Sequence, residues 1–105
     1  MKLVSVIVPC FNEEEVIDET HRCLFDVLSG QQDFSWEVIY VDDGSSDRTW
    51  AMISSLAKAA GNVSAVRLSR NFGHQMASMA GLEMATGDAV VLIDADLQDP
   101  PSVIL

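Results

Sequence analysis

Ala89-Val90-Val91-Leu92-Ile93-Asp94-Ala95-Asp96-Leu97-Gln98-Asp99 passes in one step from an apolar run to a cluster of oxygen-bearing side chains. The run is short, rich in Val, and continuous rather than alternating. That pattern is expected of a strand buried on both faces of a parallel sheet. Working back along the chain, residues 3–8, 37–41 and 63–68 repeat it, so four strands are predicted, the last over 89–93. Helical spacing fills the gaps. Over 13–28, Val16, Ile17, Thr20, Leu24, Val27 and Leu28 share one face. Asn12 and Glu15 stand at capping positions before it, and Gly30 follows it. Over 47–60 the stripe is Trp50, Ile53, Leu56, Ala57 and Ala60. The third segment, 74–85, is rich in Ala, Ser and Gly, which suits close packing on a sheet. Within it Met76, Met79 and Met84 read as core. Strands alternating with helices imply a parallel α/β sheet with right-handed crossovers and helices on both faces.

In such a sheet, ligands bind beyond the carboxyl ends of the strands. Those ends hold most of the polar chemistry of this chain. They read Pro9-Cys10-Phe11-Asn12-Glu13-Glu14, Asp42-Asp43-Gly44-Ser45-Ser46-Asp47, Ser69-Arg70-Asn71-Phe72-Gly73-His74 and Asp94-Ala95-Asp96-Leu97-Gln98-Asp99. Asp94, Asp96, Gln98 and Asp99 are hard oxygen donors of the kind that select Mg²⁺ or Mn²⁺, with substrate phosphates completing the shell. An acid-rich turn after a strand is also ordinary turn chemistry. The buried strand before it and the Gln-Asp-Pro-Pro after it favour the metal. Asp42 and Asp43 are adjacent acids that need a partner. A nucleobase N–H would serve Asp43, with Asp42 the second choice. Arg70 would suit a diphosphate. His74, at a helix start where the macrodipole disfavours its charged form, is expected to be structural or to line the substrate, not to act as a base. His21 reads as a solvated surface residue. Phe11 either stacks on a base or lies in the core below the site.

The 105 residues carry a formal charge of -10, which argues against binding nucleic acid or anionic lipid without further help. Two cysteines, Cys10 and Cys23, with no CxxC, are expected to be free thiols in a reducing compartment. Neither a signal peptide nor an apolar stretch of the about 20 residues needed to span a bilayer is evident. The chain is therefore expected on the cytoplasmic side. It is read as one domain, 1–105. Val103-Ile104-Leu105 has nothing to pack on, so this domain is expected to be a truncated part of a longer chain, with exposed apolar surface and a tendency to self-associate.

Four stretches, Ser5 through Glu14, Val41 through Asp47, Arg70 through Gly73 and Asp94 through Pro101, together resemble family 2 glycosyltransferases. The nearest branch is the polyprenyl-phosphate sugar transferases, the dolichol-phosphate mannose synthases and undecaprenyl-phosphate glucosyltransferases. The resemblance covers essentially the whole chain and is specific for the family, less so for the sugar. It implies the nucleotide-sugar-binding half of a GT-A fold. The implied reaction is inverting transfer from a UDP- or GDP-linked sugar to a polyprenyl phosphate, with a membrane-associated parent whose acceptor half lies beyond Leu105. It also implies that Pro9, Phe11 and Glu13 line the nucleotide pocket and that Asp43 binds the base with Val41 beside it. Arg70 would fall in the donor site. Asp94, with Ala95 next to it, would serve ribose or metal, Asp96 would be the catalytic metal ligand, and Gln98 would help hold the ion. Cys10 and Phe11 depart from the small aliphatic or Ser and the Tyr of many relatives. Phe11 keeps a stacking face and loses a hydroxyl.

Other classes fit less well. A phospho-acceptor receiver domain would carry its acid pair after the first strand and a Lys after a later one. A dinucleotide-binding domain would show GxGxxG after the first strand. A noncatalytic nucleotide-binding or interaction module remains an alternative for this segment.

Overall fold

The first strand organises the rest. In the computed structural model, which describes residues 2–95, β1 (Lys2–Cys10) lies between β2 (Phe34–Asp42) and β4 (Ala89–Leu92), and β3 (Val63–Arg67) flanks β2. The order is β3-β2-β1-β4 and every pairing is parallel. Helices α1 (Ile17–Ser29), α2 (Thr49–Ala59) and α3 (His74–Met84) make the crossovers. Side chains alternate across each strand. Val6, Val8 and Cys10 pack with Val38 and Tyr40 under Ile17, Leu24 and Leu28 of α1 and Ile53 of α2. Ile7, Ile39 and Val41 face the other way, against Ala77 of α3. Helices thus cover both faces of β1 and β2, but β4, expected to be buried on both faces, is an edge strand among the described residues and leaves Val90 and Leu92 exposed.

The differences from the sequence reading lie at the element ends. Strands β1 and β2 extend beyond their apolar cores at both ends. Helix α1 begins at Ile17, four positions later than the periodicity predicts, because residues 13–16 form a separate turn. In it the Glu13 carbonyl accepts from the N–H groups of Val16 and Ile17. Asn12 does not cap α1. It adopts φ 52° and its side chain accepts from the Ser46 N–H at 2.9 Å. His21 is not a solvated surface residue: its Nδ1 meets the hydroxyl of fully buried Tyr40 at 2.6 Å, and its ring lies 4.1 Å from that of Phe25.

The methionines are the clearest correction. Met76, Met79 and Met84 are each about half exposed, whereas Ala77, Ser78 and Gly81 are buried. Helix α3 sits so low on the sheet that a Cβ at Gly81 would run into Ile7 and Val41. Only the small residues fit beneath it, and the long thioethers are displaced outward. Among the described residues no helix is long and apolar enough to cross a membrane.

Candidate active site

The chain steps from β1 outward to β2 and β3, then returns to the opposite side of β1 as β4. The direction of winding therefore reverses between β1 and β4, and the helices on either side leave opposite faces. That is where an open α/β sheet parts to leave a crevice at its carboxyl edge. A cleft of about 320 Å³ lies there. Its β1 side is Pro9, Cys10, Phe11 and Glu13, and its β4 side is Asp94 and Ala95. Asp43 contributes from the end of β2, and Asn71, Gly73, His74 and Ala77 from the start of α3.

Two loops are stitched together to hold the β1 wall. The Asn12 N–H donates to Ser45 Oγ at 2.9 Å, and the Glu13 N–H donates to Thr49 Oγ1 at 2.8 Å. The Glu14 N–H donates to Asp47 Oδ2 at 3.2 Å. Asp47 Oδ1 accepts from the Thr49 N–H and hydroxyl at 2.9 and 2.6 Å. Burial acts to raise the Asp47 carboxyl, but these hydrogen bonds outweigh it and hold it below the usual range. So Gly44-Ser45-Ser46-Asp47 is a socket for the loop after β1. That explains why short hydroxyl and carboxylate residues, whose side chains bond readily to nearby backbone, are needed there.

The acid pair divides its labour. Asp43 is nearly buried, and its two carboxylate oxygens accept from the N–H groups of Phe72 and Gly73 at 2.8 and 3.0 Å. It therefore anchors the β3–α3 loop while lining the cleft. Asp42 is fully buried and points away from the cleft. Its Oδ1 accepts from the Ser45 N–H at 3.2 Å. Its Oδ2 lies 3.5 Å from Arg67 Nε, a Coulombic contact whose geometry does not complete a hydrogen bond. Asp42 is thus a structural carboxylate.

Across the cleft, Asp94 presents a side chain 38% exposed, and His74 Nε2 lies 3.8 Å from its Oδ1. Phe11 is 43% exposed at the rim, so it is not a core residue. Cys10 is buried against the Val8 carbonyl, and burial pushes its thiol well above the ordinary range, which leaves it inert. Two expected site residues stand apart from the cleft lining. Val41 is fully buried beneath α3 because it faces the sheet side opposite α1. The Arg70 guanidinium sits 4.7 Å from the centroid of the Phe72 ring. Asp96, Gln98 and Asp99 lie outside the described residues. Among those described, no group of three potential ligands is assembled for a metal. Asp94 is a hard, solvent-facing oxygen donor of the kind that suits Mg²⁺ or Mn²⁺.

Sequence reasoning missed several contributors. Asn71 and Gly73 line the cleft within the stretch that was quoted for Arg70. Thr20, read as part of the apolar face of α1, is fully buried and donates to the Ala95 carbonyl at 2.5 Å. Helical periodicity could place it inward but could not reveal a partner 75 positions away.

A parallel sheet with an acid-lined crevice at its switch point defines an open α/β protein with a ligand site at its carboxyl edge. The chain belongs to glycosyl transferase family 2, whose profile matches residues 5–105. It is 44% identical over 102 residues to the undecaprenyl-phosphate 4-deoxy-4-formamido-L-arabinose transferase of Sodalis glossinidius, a match covering 96% of this chain and 31% of that protein. The mannosyltransferase PcManGT from Pyrobaculum calidifontis, in complex with GDP-Man and Mn²⁺, superposes with a TM-score of 0.75 and 32% identity, covering 89% of this chain and 27% of that one. S. aureus TarS 1-349 in complex with UDP-GlcNAc also superposes at 0.75, with 33% identity, covering 91% and 27%. These likenesses bear out the GT-A expectation for the fold. The chain spans about a third of the length of the curated relatives it matches. The strand order, with β1 inside and β2 and β3 on the same side, also differs from the 2-1-3-4-5 order of receiver domains, which excludes that alternative.

Proposed function

We propose that residues 1–105 form the donor-binding part of an inverting glycosyltransferase that moves a sugar from a UDP- or GDP-linked donor to a polyprenyl phosphate. The observation that carries this is the cleft at the β1/β4 switch point, with Phe11 on one wall and Asp94 on the other. Similarity to a transferase named for undecaprenyl phosphate supports the acceptor class, and two neighbours crystallised with nucleotide sugars support the donor class. The parent enzyme is proposed to work at the cytoplasmic side of a membrane that holds the lipid acceptor.

In this reading the base enters beside Pro9 and Phe11, whose exposed ring offers a stacking face. Asp43, held rigid by the Phe72 and Gly73 N–H groups, keeps further lone pairs for a base N–H. Glu13 lines the same wall. The diphosphate lies toward Asp94 and Ala95, with Arg70 close in sequence to the loop at the cleft edge. Asp94, Asp96 and Gln98 would hold Mg²⁺ or Mn²⁺, Asp96 being the catalytic ligand. When bound, the ion stabilises charge on the leaving nucleoside diphosphate. The acceptor phosphate is already anionic near neutral pH, so its attack on the anomeric carbon needs little help from a base. His74 is left to line the donor and face Asp94.

The reading is tested by thermal melting of the full-length protein with UDP or GDP plus Mn²⁺. A rise of several degrees is expected, and saturating nucleotide and metal with no shift would sink the donor site. Asp96→Asn is expected to abolish metal-dependent transfer, and retained activity would remove Asp96 from the site. The isolated segment is also expected to self-associate through Val90 and Leu92 on β4 and the methionines of α3, all 40% exposed or more. A monomer in light scattering would contradict that part.

A further inference from the structure

Strand β4 is held to β1 as far as Ile93, whose N–H donates to the Ile7 carbonyl at 3.0 Å. The next hold on this backbone that the structure shows comes from a side chain. Thr20 Oγ1, at the end of the first turn of α1, donates to the Ala95 carbonyl at 2.5 Å, and both residues are buried. A helical threonine hydroxyl commonly bonds back to the carbonyl four residues earlier. Here the Val16 carbonyl accepts the Thr20 N–H at 2.9 Å, and the hydroxyl reaches across to the turn after β4. The bonded carbonyl belongs to the peptide unit that joins Ala95 to Asp96. Fixing it holds the backbone directly after Asp94, the carboxylate on this wall of the cleft. Helix α1 follows directly on the stitched loop that carries Phe11 and Glu13, so one helix references both walls of the cleft.

We infer that Thr20 is a positioning residue for the donor site, holding the Ala95 carbonyl so that the adjoining Asp94 carboxylate is pre-aligned for a divalent cation. This rests on the donor-site reading above. Thr20 does not touch the ion. It acts as the outer support that limits how far Asp94 can move, and loss of such a support lowers metal affinity.

The test compares wild type, Thr20→Val and Thr20→Ser in the full-length protein. Valine is nearly isosteric and removes only the donor, and serine keeps it. Mn²⁺ is titrated with saturating UDP or GDP while free Mn²⁺ is followed by electron paramagnetic resonance. UDP and GDP binding without metal is measured in parallel. Thr20→Val is expected to weaken Mn²⁺ binding by about tenfold, with metal-free nucleotide affinity unchanged; Thr20→Ser should stay within about twofold of wild type. Equal Mn²⁺ affinity in wild type and Thr20→Val overturns the role of Thr20 and leaves the donor site standing. A proportional loss of metal-free nucleotide binding overturns it too, because that would be general damage. If Thr20→Val does not fold, Thr20→Ser decides: a tenfold loss of Mn²⁺ affinity there overturns the inference. Wild type that binds no Mn²⁺ with either nucleotide overturns the donor-site reading itself, and this inference with it.

Discussion

Asp43 anchors the β3–α3 loop and is proposed to meet the base, and the two roles separate experimentally. Removing its carboxylate leaves the Phe72 and Gly73 N–H groups without their acceptor in a part-buried loop. Asp43→Ala is expected to cost about 1–3 kcal/mol in urea denaturation, and Asp43→Asn, which keeps one acceptor oxygen, less. If base recognition also depends on the carboxylate, Asp43→Asn loses nucleotide binding out of proportion to its stability. His21 supplies a pH dependence. Burial lowers its affinity for a proton, with Asp18 opposing. Burial also pushes the Tyr40 hydroxyl well above its ordinary range, so that hydroxyl stays protonated beside Nδ1. An unfolded histidine titrates near about 6.5, so in the window just below that value the unfolded chain holds more protons. The contribution of neutral His21 is complete above that value and is lost as pH falls through the lower folded value. The melting temperature is therefore expected to drop from about pH 7.5 to about pH 5.5, and to drop less in His21→Gln. Equal slopes in the two proteins would remove His21 as the source.

The loops after β1 and β2 behave as one element. Gly44 sits at φ 76°, and a Cβ there would collide with the backbone of Arg70 and Asn71. The glycine lets the socket loop turn and lets the β3–α3 loop lie against it. Gly44→Ala is expected to cost at least about 1–3 kcal/mol from backbone strain alone, before the collision is added. It should also blunt the nucleotide-induced rise in melting temperature, because both stitched loops line the cleft. Gly61→Ala is the control: nothing lies near its added Cβ, and its effect is expected within about 0.5 kcal/mol. The position of Gly44 in an Asp-Gly-Ser-Ser turn was legible in the sequence. Its contact with residues 70 and 71 was not, since that depends on two crossovers meeting at one edge.

Across the whole molecule, stability should follow position in the sheet. Strand β1 is central, with Val6, Ile7 and Val8 fully buried. Strand β4 pairs with β1 over four residues and leaves Val90 and Leu92 40% and 48% exposed. Hydrogen exchange is therefore expected to be slowest in β1 and β2 and fastest in β4 and the face of α3 bearing Met76 and Met79. Equal protection in β1 and β4 would contradict this. Binding of Mn²⁺ with nucleotide should protect the β4 end in particular, since the proposed ligands follow it.

The sequence by itself determined that four apolar strands alternate with three helices, and that polar chemistry gathers at the strands' carboxyl ends. Those features are local: β-branched runs, helical spacing, and glycine and aspartate at turns each act over a few residues. It also carried the family resemblance, because the motifs are contiguous. Only the tertiary structure decided which face each residue meets. It put Val41 under α3, buried Asp42 beside the half-exposed Arg67, and turned the α3 methionines outward because the helix lies too close to the sheet for them. It also joined Thr20 to Ala95. Strand order and crossover direction set these pairings, and they bring together residues whose separation along the chain carries no periodic signal.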